Sequence, residues 1–304
     1  MFRMQIQSKK KCIWYCSAAV SFLLFLLLNL WCDHLVNMQD AQQMAGRWSE
    51  KKDVAQISCF FSSKAEVTED TIQSFEYSLK NVLQEASITE TSENPSARLW
   101  VDAYSADGKI TLVNGRNTLD ANAIGIGGDF FLFHPLKLIT GSYFSGNDLM
   151  QDYCIIDQDA AWQLFGSNDV VGMTVYIGNV PHIVTGVVRR PQGRMEKAAG
   201  LTSTVVYVSY ETLEAYGTSN GINHYEIVMP NPVDEFAYGK VKEGIGIDEK
   251  NVEIVENSRR YSLPNRIKTI LAFGTRSMNG KAIIYPYWEN LARGYEDILS
   301  LIHI

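Results

Sequence analysis

The longest run of apolar residues lies near the amino terminus. Residues 12–32 contain no charged side chain, and about 20 apolar residues in a helix cross a hydrocarbon core of roughly 30 Å. We therefore predict a basic cytoplasmic tail at residues 1–11 and a transmembrane helix at residues 12–32. The lysines Lys9 to Lys11 before the run and Asp33 after it predict a cytoplasmic amino terminus, because basic flanks stay inside the cell.

A cleaved leader sequence fits this run less well than an anchor does. A signal peptide has a shorter apolar core, of ~7 to 15 residues, and a small-residue cleavage site that this stretch lacks. A lipoprotein signal ending at Cys32 would need small residues at the positions of Leu30 and Trp31. An uncleaved membrane anchor is therefore expected.

After the anchor, the pattern of apolar positions predicts a mixture of helices and strands. Residues 33–52 consist mainly of helix formers and are predicted to continue the anchor as a helix. The alternation over Val54–Phe61 predicts a half-buried strand. An amphipathic helix is expected after Thr68, which can cap its acidic first turn. Arg98–Ser105 is predicted as a strand that turns at Asp107-Gly108 into the next strand.

The same order of elements returns near the end of the domain. His224–Met229 and Val252–Val255 are predicted strands, and Asp234–Glu243 between them is a predicted helix. Two such units form a split ferredoxin-like layer, so the predicted fold class is α+β: one transmembrane helix, then this layer with an inserted strand-rich subdomain. The predicted boundaries are 33–117 and 217–256 for the two parts of the layer, 118–216 for the insertion and 257–299 for a basic juxtamembrane segment.

The most distinctive motif lies between residues 129 and 188. It consists of an apolar knot, a Gly-Ser-Tyr-Phe turn, a short helix ending in Leu-Phe-Gly, and two further glycine positions. We interpret these residues as determinants of the fold, because a large apolar side chain contributes ~1.5 to 3 kcal/mol on burial. Trp162 is expected to lie in the same core. The motif residues are Asp129, Phe130, Phe131, Pro135, Gly141, Phe144, Leu164, Phe165, Gly166, Gly172 and Gly186.

In this order of residues the chain resembles the extracytoplasmic core domain of MacB-like and FtsX-like ABC transporter permeases. In that family, cytoplasmic ATP-binding subunits move the transmembrane helices, and the external domain converts the movement into export or signalling. The resemblance implies a permease subunit in the plasma membrane that is not itself an enzyme. It also implies three partners: a cytoplasmic ABC ATPase subunit, a second permease copy or paralogue in a dimer, and the lipid bilayer.

The charge distribution indicates a protein that meets a membrane at both ends. A formal charge of -7 argues against a nucleic-acid partner. Residues 33–256 hold 16 basic and 31 acidic side chains, whereas residues 257–299 hold seven basic and three acidic ones. The second segment includes a basic and aromatic amphipathic helix, which is typical of a membrane interface. Its predicted interface residues are Arg259, Arg260, Trp288 and Arg293.

The sequence shows no motif for catalysis or cofactor binding. The glycines from Gly125 to Gly128 do not complete a dinucleotide fingerprint, and Gly274–Lys281 has the wrong spacing for a Walker loop. No two histidines share a ligand-type spacing with a cysteine or carboxylate, so no metal site is predicted. ATP hydrolysis is therefore expected in a partner subunit. Cys59 and Cys154 are expected to be two buried free thiols.

A function of another class stays open: a single-pass, membrane-anchored sensor or ligand-binding module. The permease interpretation predicts further apolar spans after residue 299 and a neighbouring ATPase, and the sensor interpretation predicts neither. Residues 300–304 match the translation of a common sequencing adapter. We expect these residues to be foreign to the protein, and the permease to continue beyond them.

Overall fold

The computed structural model describes residues 2–49, 53–89, 98–271 and 282–303. The helices are α1 (Phe2–Asn37), α2 (Met44–Trp48), α3 (Glu69–Glu85), α4 (Phe130–Phe133), α5 (Gln158–Phe165), α6 (Arg194–Ala198), α7 (Tyr210–Tyr216), α8 (Phe236–Gly244), α9 (Asn257–Arg260), α10 (Leu263–Leu271) and α11 (Tyr287–His303). The strands are β1 (Val54–Phe61), β2 (Val101–Asn114), β3 (Asn117–Gly128), β4 (Leu138–Gly141), β5 (Tyr153–Asp157), β6 (Thr174–Ile177), β7 (Val180–Val188), β8 (Val205–Ser209), β9 (Thr218–Ser219), β10 (His224–Pro230) and β11 (Val252–Glu256). Short 3-10 helices lie at Asp40–Gln42 and Ser63–Ala65.

All strands of the described residues belong to one sheet. Their order is β11-β1-β10-β2-β3-β8-β5-β7-β4, with β6 paired to β2 and β7, and β9 paired to β2. The first four strands pair antiparallel, and α3 and α8 follow β1 and β10, which is the ferredoxin-like arrangement. The predicted α+β class with this layer is confirmed.

The strands of the predicted insertion extend the same sheet. Strands β2 and β3 pair from Ala103↔Gly128 to Asn114↔Asn117, so the hairpin crosses the predicted boundary between residues 117 and 118. Strand β8 then adds parallel to β3, and β5 lies between β8 and β7. The domain boundaries themselves stay predictions.

The predicted turn at Asp107-Gly108 was wrong. Both residues lie inside β2, where Asp107 pairs with Ile124 of β3. The chain instead turns at Gly115, whose φ of 60° suits glycine. A side chain at Gly108 would come within 2.4 Å of the Thr218 carbonyl oxygen, so this glycine serves the close approach of β9.

Alternate residues of the sheet face two separate cores. On one side, which we name the apolar face, helices α3, α5, α7 and α8 cover buried residues such as Ile57 and Ile227. On the other side, the anchor face, helices α2, α4 and α11 cover a second apolar core that includes Val101 and Phe130. The anchor-face positions at the centre of β1 and β10 carry buried polar residues: Gln56, Ser58, His224 and Glu226.

Among the residues that the structure describes, one helix is long and apolar enough to cross a membrane. It is the Trp14–Asn37 part of α1, which agrees with the anchor predicted at residues 12–32. The prediction of helix through residues 33–52 was wrong, because Gln39 has φ −99° and ψ 77° and leaves the helical conformation. Its side-chain amide donates to the Leu35 carbonyl oxygen at 3.4 Å and caps the helix end.

The chain after α1 lies back on the anchor face. Gln56 of β1 holds it there with two hydrogen bonds: Oε1 accepts from Met44 N at 2.9 Å, and Nε2 donates to the Ala41 carbonyl oxygen at 2.7 Å. The anchor is therefore joined to the sheet through a bent segment rather than one straight helix. The predicted helical residues 50–52 lie outside the described residues.

The expected core position of Trp162 was also wrong. Its side chain is 54% exposed. Helix α5 packs on the sheet through Ala160, Ala161 and Leu164, which are buried, so Trp162 lies on the outer side of this short helix.

The two thiols outside the anchor agree with the sequence expectation. Cys59 on β1 and Cys154 on β5 are free, and both are fully buried in the core of the apolar face. Burial raises the pKa of Cys154 to about 12. At neutral pH this side chain is therefore an uncharged thiol.

Candidate functional site

Three segments close to the membrane anchor meet at one place on the anchor face. They are the stretch after α1, helix α9, and helix α11, which contacts both α1 and α10. Helix α9 reaches this place because it follows β11, the strand that pairs with β1 at the edge of the sheet. We name the meeting point the anchor junction and define it by Gln39, Gln42, Arg260, Glu289 and Glu296.

Arg260 lies at the centre of the anchor junction. Its guanidinium binds both carboxylate oxygens of Glu289, with Nη1 to Oε2 at 2.6 Å and Nη2 to Oε1 at 2.9 Å. Its Nε donates to Glu296 Oε1 at 2.9 Å, and Nη1 donates to Gln42 Oε1 at 3.3 Å. One side chain therefore joins α9, α11 and the segment that follows the anchor.

These charges are withdrawn from solvent. The side chains of Arg260 and Glu289 are 3% and 0% exposed. Burial alone would lower the pKa of Arg260, but the carboxylates of Glu289 and Glu296 raise it well above its ordinary value. Removal of one partner of a buried ion pair typically costs about 3–5 kcal/mol, because the remaining charge stays buried with less compensation. The junction therefore resists separation.

A second arginine connects α11 to the edge of the sheet. Arg293 Nε donates to Glu289 Oε1 at 2.7 Å, and its Nη2 donates to Glu253 Oε1 of β11 at 2.6 Å. Its guanidinium lies 3.8 Å from the ring centroid of Tyr285, within the range of a cation–π contact. The Tyr285 hydroxyl donates to Glu253 Oε2 at 2.5 Å. Helix α11 is thus fixed to the outermost strand of the ferredoxin-like layer.

Two further contacts join the end of α1 to the chain that follows the sheet. The Tyr261 hydroxyl donates to Gln39 Oε1 at 2.5 Å. Arg266 Nη2 lies 3.6 Å from Asp33 Oδ1, within ion-pair distance. The segments that enter and leave the domain are therefore bonded directly to each other.

The predicted membrane-interface residues do not form one exposed surface. Trp288 and Arg260 are only 5% and 6% exposed, so the prediction of both as lipid-facing side chains was wrong. The apolar side of α11 packs on protein, and the Trp288 ring makes an edge contact with Phe130 at a centroid distance of 5.6 Å. The side chains of Arg259 and Arg293 are 37% and 30% exposed. Their contact with the membrane stays a prediction.

The apolar motif residues are divided between the two cores. Phe130, Phe131 and Phe144 are buried in the anchor-face core, where the first two rings form an edge contact. Leu164 is buried in the core of the apolar face, and Phe165 packs against it. These five apolar motif residues therefore make packing contacts in one core or the other.

The other motif residues lie at turns and at the surface. Asp129 forms an ion pair with Arg98 before α4, and Pro135 after α4 is exposed. Gly141 has φ 85°, and a side chain there would come within 2.1 Å of a backbone oxygen of β7. Gly166 and Gly172 also have positive φ, and Gly186 pairs with Gly141 between β7 and β4.

Sequence reasoning missed a buried polar cluster on the anchor face. His134, His224 and Glu226 offer ligand atoms that all lie within 4.8 Å of one another, the one such metal-compatible group found among the described residues. His134 is distant in sequence, so spacing could not reveal it; the His224-x-Glu226 pair, on one face of a strand, was the available local signal. Burial lowers the pKa of His224 to about 4, so this imidazole is neutral at neutral pH.

Comparisons with known proteins concern mainly the extracytoplasmic region. Residues 38–254 match the family model of the MacB-like periplasmic core domain. The crystal structure of the periplasmic region of MacB from Actinobacillus actinomycetemcomitans is similar with a TM-score of 0.44 and 18% identity, and covers 74% of this chain and 94% of that one. The extracellular domain of the noncanonic ABC-type transporter YknZ from Gram-positive bacteria has a TM-score of 0.41 and 19% identity, and covers 66% of this chain and 99% of that one.

Curated relatives match over shorter stretches. The macrolide export ATP-binding/permease protein MacB of Pasteurella multocida is 31% identical over 98 residues, which are 32% of this chain and 14% of that protein. The protein of the same name from Neisseria gonorrhoeae is 36% identical over 80 residues, 25% of this chain and 12% of that protein. The match with each relative thus spans a small part of that relative's length. Since the family model covers most of the domain built on the anchor, the chain belongs to the family of MacB-like periplasmic core domains.

Proposed function

We propose that this chain is the anchored, extracytoplasmic part of an ABC transporter permease subunit of the MacB-like and FtsX-like type. Its domain transmits ATPase-driven motion for export or signalling across the cell membrane. The amino terminus lies in the cytoplasm and the main domain outside, as the flanking charges of the anchor favour. The observation that carries the mechanical part of the proposal is Arg260, which binds the segment after the anchor and α11 at the same time.

The proposed path of motion consists of bonded contacts. A displacement of α1 moves the residues after it, and Gln42 passes the displacement to Arg260. Arg260 holds Glu289 on α11, and Arg293 connects that helix to Glu253 on β11. Strand β11 is hydrogen-bonded to β1 in the sheet. Because every link is a hydrogen bond or an ion pair, the elements are expected to move together.

The proposal includes partners outside this chain. A cytoplasmic ABC ATPase subunit supplies the energy, and a second permease copy or paralogue completes a dimer. The curated relatives are named ATP-binding/permease proteins, which supports an ATP-driven machine of this kind. We propose that ATP hydrolysis takes place in a separate ATPase subunit, as the resemblance to permease subunits implies.

The experiment uses the complete permease, reconstituted with its ATPase in lipid nanodiscs. Hydrogen–deuterium exchange is measured with and without ATP, with a hydrolysis-deficient ATPase that traps the closed state. We expect exchange to change together in residues 38–48, in α9 and in α11. Arg260→Gln should reduce the change in α11 strongly while the change next to α1 persists. Arg259→Gln is the matched control, since it removes the neighbouring, more exposed arginine and should keep the full response.

Two results would contradict the proposal at different levels. A folded Arg260→Gln permease with the same ATP response as Arg259→Gln would reject the anchor junction as the path of motion. Failure of any ABC ATPase to co-purify with the complete permease would reject the transporter itself and favour an anchored sensor or ligand-binding module.

A further inference from the structure

The buried trio of His134, His224 and Glu226 has the composition of a metal site. We propose that these three side chains bind one divalent transition-metal ion of the zinc class inside the anchor face of the sheet. The inference does not depend on the proposed transport function, because it rests on the ligand chemistry of this cluster alone.

One strand and the end of a short helix place the three ligands. His224 and Glu226 are two residues apart on β10 and therefore face the same side of the sheet. Their register sets Glu226 opposite Ser58 of β1, and His224 opposite Ser105 of β2. His134 follows α4, and its ring centroid lies 5.9 Å from that of His224. Three polar side chains thus converge from two separate segments of the chain.

The ligand atoms are close to the separations that a metal ion needs. All three lie within 4.8 Å of one another, His134 Nε2 contacts Glu226 Oε1, and His224 Nε2 lies 3.9 Å from Glu226 Oε2. Ligands of a tetrahedral zinc ion, with bonds of about 2.0–2.1 Å, are roughly 3.3 Å apart. Small side-chain movements would therefore form the site without a change of backbone.

His224 provides the observation that points most directly to a ligand. Its side chain is 1% exposed, and its Nε2 has no hydrogen-bond partner within the part of the chain that the structure describes. Its other nitrogen, Nδ1, lies 3.4 Å from Ser105 Oγ. When this hydroxyl accepts the Nδ1 proton, Nε2 carries a free lone pair towards Glu226, which is the usual arrangement of a metal-bound histidine.

The Glu226 carboxylate is oriented by a set of neighbouring donors. Its Oε2 accepts from Ser58 Oγ at 3.1 Å and from Gln56 Nε2 at 3.4 Å. Asn257 Nδ2 in turn donates to Ser58 Oγ at 2.7 Å. Metal-bound carboxylates are commonly held by such outer hydrogen bonds. Since Asn257 begins α9, the site also lies next to the helix that carries Arg260.

The unpaired polar atoms of this cluster favour an ion over a metal-free pair. The Glu226 side chain is 2% exposed, and a buried carboxylate needs a positive partner. The contact of His134 Nε2 with Glu226 Oε1 pairs two of the three groups, but it leaves His224 Nε2 without a hydrogen-bond partner among the described residues. A divalent cation would neutralise the carboxylate and engage both imidazoles. A bound metal ion would therefore give a partner to each polar atom of the three ligand side chains that lacks a hydrogen bond among the described residues.

The ligand set indicates the class of metal. Two imidazole nitrogens and one carboxylate oxygen suit Zn²⁺, which in such sites keeps a fourth position for water. The Trp288 ring covers the cluster at centroid distances of 4.2 Å from His134 and 5.3 Å from His224. Its Nε1 is buried and without a hydrogen-bond partner among the described residues, so a metal-bound water would give it an acceptor.

The test begins with the 304-residue chain, produced with an affinity tag free of histidine and purified in detergent. The chain is treated with a chelator and then exposed to Zn²⁺ or Co²⁺. We expect one metal ion per chain by mass spectrometry of the metal, the intense visible absorption of four-coordinate Co²⁺, and a higher melting temperature with zinc.

Variants connect the metal to the three side chains. His224→Gln and Glu226→Gln should each weaken zinc binding by roughly a hundredfold or more, because loss of an outer hydrogen bond alone costs about 10- to 100-fold. His182→Gln is the matched control and should keep the wild-type affinity. His182 is also buried, but Val180 O and the Thr212 hydroxyl lie within hydrogen-bond distance of its two ring nitrogens.

Three results would overturn the proposal. One is a folded wild-type chain that takes up no stoichiometric zinc, and another is zinc binding that His224→Gln and His182→Gln share equally. If the ligand variants do not fold, X-ray absorption spectroscopy of the zinc-loaded wild type decides. Scattering from two imidazoles supports the site, and its absence or a sulfur ligand overturns it.

Discussion

Apolar packing holds helices on both faces of the sheet, but the anchor face adds buried ion pairs. On the apolar face, α3 and α8 are held through side chains such as Phe75, Leu79 and Val241, which are almost completely buried. On the anchor face, the bidentate pair between Arg260 and Glu289 holds α11. Hydrophobic burial has no preferred direction, whereas charge-assisted hydrogen bonds fix geometry. Directional bonds thus occur on the face where the segment after the anchor meets the sheet, as the proposed transmission of motion would require.

Partly and fully buried carboxylates show the same contrast. On the apolar face, Glu76 of α3 and Asp102 of β2 are hydrogen-bonded to each other, and Tyr225 also donates to Asp102 at 3.0 Å. On the anchor face, the carboxylates of Glu289 and Glu296 are paired with arginine. The first pair is most stable when it retains a proton, and the second when both groups are charged.

The largest expected effect comes from Arg260→Ala. It removes the bidentate partner of buried Glu289, which keeps only its contact with Arg293, and should lower the free energy of unfolding by about 3–5 kcal/mol. The measurement is urea denaturation of the anchored chain in detergent. Arg259→Ala should change the same quantity by less than about 0.5 kcal/mol, as expected for a surface position. Equal losses in the two variants would show that the anchor face does not depend on its ion pair.

A substitution on the apolar face should lower the folding stability without changing the proposed transmission of motion. Leu79→Ala should cost about 3 kcal/mol, because it removes buried methyl groups and leaves a cavity. The ATP-dependent exchange of α9 and α11 in the reconstituted permease should stay unchanged. Loss of that response in a folded Leu79→Ala protein would show that the two faces act as one mechanical unit.

The carboxyl pair of the apolar face predicts a dependence of stability on pH. Burial and then Asp102 raise the pKa of Glu76 to about 8. Since the ordinary value in the unfolded chain is about 4.3, the folded state binds the additional proton. Stability should therefore fall as pH rises from about 5 to about 8. Urea midpoints of Glu76→Gln should decrease less over this range, and parallel curves for variant and wild type would contradict the assignment.

The smallest expected effect concerns the contact between α1 and the chain after α9. Tyr261→Phe removes the hydrogen bond to Gln39 and should cost about 1 kcal/mol. Tyr77→Phe is a suitable control, because Tyr77 is 73% exposed on α3 and lies on the opposite face. Identical urea midpoints for both variants would remove this contact from the anchor junction.

The features predicted from the sequence are those that depend on local periodicity. The strand at Val54–Phe61 has the predicted bounds, and α3 begins directly after the predicted cap at Thr68. The ferredoxin-like layer followed from the repeated order of strand and helix, because that order restricts the possible pairings of four strands. Local pattern failed at Asp107-Gly108, where pairing with β3 continues the strand and the close approach of β9 accounts for the glycine.

The candidate sites could not be predicted because they depend on contacts between distant segments. Arg260 belongs to a basic stretch of sequence that is typical of an exposed surface. In the structure its side chain is buried and paired with two carboxylates of another helix. Gln56 and Ser58 occupy polar positions of the strand predicted to be half-buried, yet both side chains are buried. The polar positions of this strand therefore lie in a second core, where their side chains are hydrogen-bonded.

The buried thiols have a practical consequence. Cys154 is protonated at physiological pH, and only the thiolate form attacks alkylating reagents. Modification of Cys59 or Cys154 therefore has to wait for a transient opening of the strands that carry them. Timed alkylation of the reconstituted permease during ATP turnover would measure how often this core opens, with cysteines that the chain already contains.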